Sequence, residues 1–311
     1  MKILVTGGAG FIGSHVVDAY RAAGHAVVVV DDLSSGSGKF LPRDVPFYLM
    51  NIGAPELGKV FEIEKPDVVC HHAAQVSVVV SSREPVLDAR VNGLGLLNVL
   101  ECSRVSHVKK FIFISSGGAV YGDAGGKKLA EDHPPAPESP YAIHKLLGEH
   151  YLRFYGAQHG LQWTALRYAN VYGPRQNPLG EAGVVAIFLA KVMAGEVPVV
   201  NAYPEEPDGM ERDYVYVEDC ARANVLALDK GAGQAINIAT SHPVRTRELL
   251  SAICRVAGKE LKYTRAGPRP GDIRSSCLDN SRAAGVLGWK PGFTLDEGLA
   301  RTFAWFNASH A

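Results

Sequence analysis

The first 32 residues, MKILVTGGAGFIGSHVVDAYRAAGHAVVVVDD, leave few architectures open. KILVTG and AVVVVD are short β-rich runs, and SHVVDAYRAAG between them has helical apolar spacing and stops at Gly24. Two strands joined through a helix lie parallel in one sheet, with a right-handed crossover. The turn between first strand and helix is TGGAGFIG. Gly7, Gly10 and Gly13 recur every third residue, and Gly8, Gly10 and Gly13 satisfy G-x-G-x-x-G. Glycines there allow a tight turn and let backbone N–H groups approach a pyrophosphate at the positive end of the helix. Asp31 ends the second strand, 18 residues beyond Gly13. A carboxylate there accepts hydrogen bonds from ribose hydroxyls and repels a 2′-phosphate, so the pattern predicts a dinucleotide site for NAD rather than NADP.

The alternation continues through DVVCHHAA (67–74), a helix across DARVNGLGLLNVLECSR (88–104), KKFIFISS (109–116), a helix near residue 141 and a strand QWTALRYANV (162–171). This predicts an α/β, Rossmann-like doubly wound parallel sheet covered on both faces. The second half changes character. GPRQNPLGEAG and NAYPEEPDGMERDY are long and polar, like binding loops. QAINIAT (234–240) reads as one more buried strand and VRTRELLSAICRVAG (244–258) as an amphipathic helix. The expected organisation is a nucleotide-binding domain over 1–170, with 213–240 returning to it, and a smaller interleaved α/β substrate domain from 171–212 and 241–311.

Lys plus Arg (32) equals Asp plus Glu (32), which argues against a nucleic-acid binder. No run approaches the ~18 apolar residues of a membrane span. Five scattered cysteines without a C-x-x-C spacing predict reduced thiols in a cytoplasmic protein. His71 and His72 end an apolar strand with no Cys, Asp or Glu at ligand spacing, so no metal site is expected.

SPYAIHKLLGEH (139–150) places Tyr141 and Lys145 four positions apart, one turn apart on a helix face. Taken alone, the pair fits either a reactive couple or two solvated residues. A tyrosine of pKa about 10 is a poor base at neutral pH. An ammonium beside it, and a positive nicotinamide ring, would both favour phenolate and lower that value.

Together the turn, the strand-end acid and Tyr-x-x-x-Lys resemble the extended branch of the short-chain dehydrogenase/reductases, the NAD-dependent sugar-nucleotide epimerases and dehydratases. TGGAGFIG, DDLSSG, HHAAQVSV, SSGGAVYG, PYAIHK, LRYANVYGPRQ, RDYVYVED and RPGDIR carry the resemblance in order along nearly the whole chain. It implies a UDP-sugar substrate, a homodimer and epimerisation at the 4-position of a UDP-hexose through a 4-keto sugar, with NAD regenerated in each turnover. Tyr141 would be the proton acceptor, and Lys145 would also bond the nicotinamide ribose. Cofactor contacts would come from Gly7, Gly10, Phe11, Ile12, Gly13, Asp31, Asp32, Leu33, Ser34, Ser35, Gly36, Asn51, Ile52, His72, Ala73, Ala74 and Gln75. Asn92, Ser115 and Tyr168 would lie by the nicotinamide half. Asn170, Arg212 and Arg269 would hold the diphosphate, with Asp272 near the ribose and Val184 near the base.

Three departures bear on the reaction. Members usually carry Ser or Thr four residues before the Tyr of VYG; here that position is Gly117, and strand alternation would turn the neighbouring Ser116 away. Ser116 is the candidate substitute, or a water. Gly118 and Ala119 stand where dehydratases carry an Asp-Glu pair, which disfavours dehydration. Ser276, seven past Arg269, leaves room for an N-acetyl group, so Gly117, Gly118 and Ser276 would all line the sugar pocket. Alternatives open to the same residues are another sugar-nucleotide epimerase, a dehydratase or decarboxylase, and a catalytically weak NAD-binding scaffold or sensor.

Overall fold

The computed structural model describes residues 1–178, 183–269 and 272–310. The turn-rich segment read over 173–183 is therefore described only in part, with 179–182 outside the described residues.

Strands β1 (Lys2–Thr6), β2 (Ala26–Asp31), β3 (Phe47–Leu49), β4 (Val68–His71), β5 (Lys110–Ser116) and β6 (Gln162–Tyr168) alternate with α1 (Phe11–Ala22), α2 (Leu57–Glu64), α3 (Val78–Arg83), α4 (Pro85–Asp88), α5 (Leu96–Val105), α6 (Gly117–Val120) and α7 (Pro140–His159). The rest of the chain holds β7 (Asn170–Tyr172), α8 (Val184–Met193), β8 (Val199–Asn201), β9 (Glu211–Tyr216), α9 (Val217–Ala227), β10 (Gln234–Ile238), β11 (Pro243–Arg245), α10 (Thr246–Ala257), β12 (Thr264–Ala266), β13 (Ser275–Ser276) and α11 (Leu295–His310).

Seven strands form one parallel sheet in the order β10-β6-β5-β4-β1-β2-β3. The pleat sends alternate residues to opposite faces. Ile3 and Val5 pack with Val16, Val17 and Tyr20 of α1 and with Cys220 and Ala223 of α9. Leu4 faces the other way, into a core with Phe61 of α2, Leu100 of α5 and Leu152 of α7. The strand order reverses between β1 and β4, and it is outside the carboxyl ends of strands at such a point that ligands bind in doubly wound sheets.

A second sheet joins β11, β9 and β13, with β7 also pairing β9. It packs with α8, α10 and α11 around Phe188, Leu189, Leu249, Ile253 and Phe306. The chain returns to the large sheet with α9 and β10, while residues 213–216 stay in β9.

Two elements differ from the sequence reading. The single strand expected over 162–171 breaks at Ala169. Its N–H makes a last bond to the Ile238 carbonyl, and β7 then leaves for β9. The helix expected over 88–104 is interrupted by a π-helical turn, Ala89–Gly95. Gly95 lies there against Ile52, where a Cβ would come within 2.8 Å of its side chain. Such a turn re-aims side chains, and this one turns buried Asn92 onto Gln75.

Candidate active site

The turn after β1 is fixed by bonds that glycine alone permits. Gly7 has φ +69°, and a Cβ on it would strike the Ala73 backbone nitrogen at 2.5 Å. A Cβ on Gly13 would lie 2.1 Å from the Gly7 carbonyl oxygen. Gly10 opens α1 and no side chain caps that helix end. Asp31 is buried, and its two oxygens accept the N–H groups of Ala9 (2.9 Å) and Leu33 (2.8 Å), which aims the carboxylate along the turn. Leu33 has φ +58°, and Gly36 packs on the same turn, with room for no Cβ beside the Ala9 carbonyl. An uncapped helix N-terminus above a side-chain-free turn, with an acid fixed beside it, fits a dinucleotide.

Asp32 and the exposed Ser34 lie outward of this turn, with Ser34 N–H donating to Asp32. Asn51 donates to Asp32 Oδ2 at 2.8 Å and accepts from Gly53 N–H. An aspartate at 51 would face a second carboxylate; the amide turns that repulsion into a hydrogen bond. Ile52 is core, and its carbonyl accepts from Asn98. Ala73 and Ala74 follow β4, where Ala73 N–H reaches Thr6 Oγ1. His71 is held to Thr6 Oγ1 at 2.8 Å and stacks on Phe113, while burial pulls His72 down to about 3.

Tyr141 and Lys145 occupy the first turns of α7, which starts at a Ser139 cap and Pro140. The Lys145 ammonium donates to the Ile114 carbonyl at 2.9 Å and lies 5.6 Å from the Tyr141 ring centroid, over the ring rather than at the hydroxyl. Burial, rather than the ammonium, is the largest influence on the pair, pushing Tyr141 up to about 12 and Lys145 down to about 8.

The Ser116 hydroxyl is near enough to the Tyr141 phenol to oppose the upward shift. Alternation would turn Ser116 away from the phenol. It is the last residue of β5, still extended and paired with Tyr168, and α6 begins directly after it. A side chain at Gly117 would require Leu278 to move, because a Cβ would meet Leu278 Cδ1 at 2.3 Å. Ser115 is buried and gives its hydroxyl to Glu149 (2.7 Å). Tyr168 is also core, its hydroxyl accepting from Asn224 of α9.

The second sheet gathers the other candidates. Asn170 pairs with Tyr214 and Ser276 with Arg212 in the ladders beside β9. A Cβ on Gly118 would stand 3.8 Å from Ser276 Oγ and 3.9 Å from Asn170 Nδ2, so those three residues converge two positions beyond Ser116. Arg212 is anchored by the carbonyls of Glu211 and Ile273 (2.8 Å each). Arg269 is exposed, and its N–H donates to Asp272 Oδ2 at 2.8 Å. Val184 opens α8, partly buried.

Several residues around this site went unread in the sequence. Glu149, one turn past Lys145 on the same helix face, forms a buried bidentate ion pair with Arg167, which also donates to Tyr121. An arginine inside the apolar strand TALRY was the available signal, since a buried charge requires a partner. Asp88 and His144, paired at 2.6 Å, gave no such signal.

Residues 3–239 match the profile of the NAD dependent epimerase/dehydratase family, and the chain belongs to that family. It is 43% identical over 313 residues to the UDP-glucose 4-epimerase of Mycolicibacterium smegmatis, with 98% of each chain covered. A crystal structure of the Thermotoga maritima UDP-glucose 4-epimerase with UDP-glucose superposes with a TM-score of 0.96 at 45% identity, over 100% of both chains. The Thermus thermophilus UDP-glucose 4-epimerase in complex with NAD gives 0.95 at 45% identity, over 99% of this chain and 100% of that one. Among the described residues no helix is long and apolar enough to cross a membrane.

Proposed function

We propose that this chain is an NAD-dependent UDP-hexose 4-epimerase, an isomerase interconverting UDP-glucose and UDP-galactose. The observation that carries the reading is the Ser116–Tyr141–Lys145 cluster at the carboxyl ends of the parallel strands, two residues from the Gly118–Ser276–Asn170 group. The turn at Gly7–Gly13, Asp31 and Ala73 would hold NAD. Bound NAD supplies a reversible hydride acceptor, taking hydride from sugar C4 and returning it to the other face of the ketone.

The chain's own part is to move one proton and anchor the substrate. Tyr141 takes the proton of the sugar 4-hydroxyl through Ser116 and returns it on reduction. Lys145, buried over the ring, supplies positive charge that favours the phenolate once a cationic nicotinamide is beside it. Arg212 and Arg269 hold the diphosphate and Asp272 the ribose, so that the hexose alone is free to turn. Gly118 and Ala119 bring no carboxylate to the pocket, which supports epimerisation over dehydration. Ser276 beside Gly118 leaves space for an N-acetyl group, so UDP-N-acetylglucosamine is a second substrate.

A homodimer through α7 and the π-helical turn is supported by apolar side chains left exposed there, Leu94, Ile143 and Phe154 among them. A cytoplasmic setting is supported by the five cysteines, all free.

The test uses purified protein, UDP-glucose, UDP-galactose and UDP-N-acetylglucosamine, with analysis of the sugars released from the products. Conversion at C4 that is lost in Tyr141→Phe, with the fold kept, is the expected result. The Ser276→Tyr variant should keep the glucose reaction and lose the N-acetyl one. Turnover unchanged in Tyr141→Phe would remove the phenol from the mechanism.

A further inference from the structure

One buried acid beside the site has no part in that mechanism. Asp88 ends α4 and is fully buried. Its Oδ1 accepts from Gln75 Nε2 at 2.8 Å and Asn92 Nδ2 at 2.9 Å; its Oδ2 accepts from His144 Nδ1 at 2.6 Å. Three pieces of chain thus meet on one carboxylate: the strap after β4, the π-helical turn and α7. Asn92 closes the ring, accepting from Gln75 N–H at 3.0 Å and donating to the Gln75 carbonyl at 2.9 Å.

His144 sits on α7 three positions after Tyr141 and directly before Lys145, its ring against Gly93, where a Cβ would lie 3.5 Å from Cδ2. Whatever fixes His144 fixes the rotation of the turn that carries the phenol and the ammonium. The charge reaches both as well. Burial is the first influence on both; the Asp88 carboxylate comes next for Lys145 and, behind the opposing Ser116 hydroxyl, third for Tyr141, upward in both cases.

The other charged groups on elements packed around α7 have their own partners or face water. Arg83 pairs with Glu84, Arg104 with Glu101 and Arg167 with Glu149, while Arg90 is exposed. His71 and His72 at the end of β4 are held neutral by burial.

We propose that Asp88 and His144 are a positioning pair for the Tyr141–Lys145 couple: their hydrogen bond sets the first turns of α7 against the Gln75 strap. The inference deepens the epimerase reading and rests on Tyr141 being the phenol that exchanges the substrate's proton.

The test uses the full chain loaded with NAD. It follows kcat and KM for UDP-glucose against pH, and titrates the phenol directly by ultraviolet tyrosinate difference absorbance, with Tyr141→Phe as reference. In Asp88→Asn the amide still serves Gln75 and Asn92 but carries no charge. The Tyr141 ionisation is expected to move toward acid, and the acid limb of kcat with it, KM staying nearly unchanged. In His144→Gln a donor to Asp88 remains, so kcat is expected to stay near the parent's, whereas His144→Ala removes the donor and should lower kcat about tenfold with KM nearly unchanged. The His144 side chain is 15% exposed, so these variants keep the fold even where the Asp88 change does not, and rescue by Gln over Ala is diagnostic by itself.

A kcat lost in His144→Ala and restored in His144→Gln, with KM unchanged in both, supports the pair. Equal kcat in the two variants overturns it while the Tyr141 mechanism stands. Turnover surviving in Tyr141→Phe overturns both.

Discussion

A single missing side chain decides how Ser116 is used. Gly117 stands where the resemblance led one to expect a hydroxyl, yet Leu278 fills the space into which a Cβ would project, and Leu278 is itself buried. Gly117→Ser therefore overpacks, at a cost of about 1–3 kcal/mol. It should lower the unfolding midpoint and depress kcat, and a simultaneous Leu278→Ala should recover most of the loss. Ser116→Ala leaves packing alone and removes the hydroxyl on the phenol, so kcat should fall about 10²-fold with KM little changed. A Gly117→Ser variant faster than the parent would show that the relay hydroxyl belongs at 117. Gly7, Gly10, Gly13 and Asp31 are legible from their spacing in the sequence, because a turn and a strand end are local. Which neighbouring serine meets a phenol 25 positions away is set by where β5 stops, and no local pattern encodes that.

At the scale of the element, α7 is held by more than its apolar face. Tyr141, Lys145 and Glu149 follow at one-turn intervals, and Glu149 is gripped by Arg167 of β6 through contacts of 2.8 and 2.6 Å. Arg167 also donates to the Tyr121 hydroxyl at 2.6 Å, and that hydroxyl donates to Asn237 of β10 at 3.0 Å. Helix, sheet and the segment after α6 are thus tied at one buried point. Arg167→Met leaves a buried carboxylate with one hydroxyl donor and is expected to cost about 3–5 kcal/mol in denaturant unfolding. The double change Arg167→Met with Glu149→Leu removes both charges and should recover most of it. Additive losses in that cycle would mean that the two side chains do not act as a pair. The strands β1, β2, β4 and β5 follow directly from apolar runs, since a parallel sheet buried on both faces needs them. The π-helical turn and the break at Ala169 do not, because both answer to tertiary neighbours, Ile52 against Gly95 and β9 alongside β7.

For the molecule as a whole, the long polar loops of the second half disguised a second core. Its sheet draws strands of two to six residues from four places in the chain, too short and scattered for periodicity to reveal. The exposed apolar surface carries the remaining prediction. Leu94 is 64% exposed, Ile143 50% and Phe154 52%, on two helical segments that pack against each other. Ile143 and Phe154 are eleven positions apart, close to three helical turns, so they share one face of α7. A two-fold axis across that face would bring each stripe against its own copy and bury the same residues twice. Each half-exposed side chain has about 1 kcal/mol still to gain from full burial. Sedimentation should therefore give twice the chain mass, and Ile143→Glu combined with Leu94→Glu should give one chain mass. On a lone protomer these positions already face water, so the double variant should keep its circular dichroism and unfold within about 1 kcal/mol of the parent. A parent that sediments as a single chain at micromolar concentration would leave this apolar face without the partner argued for it.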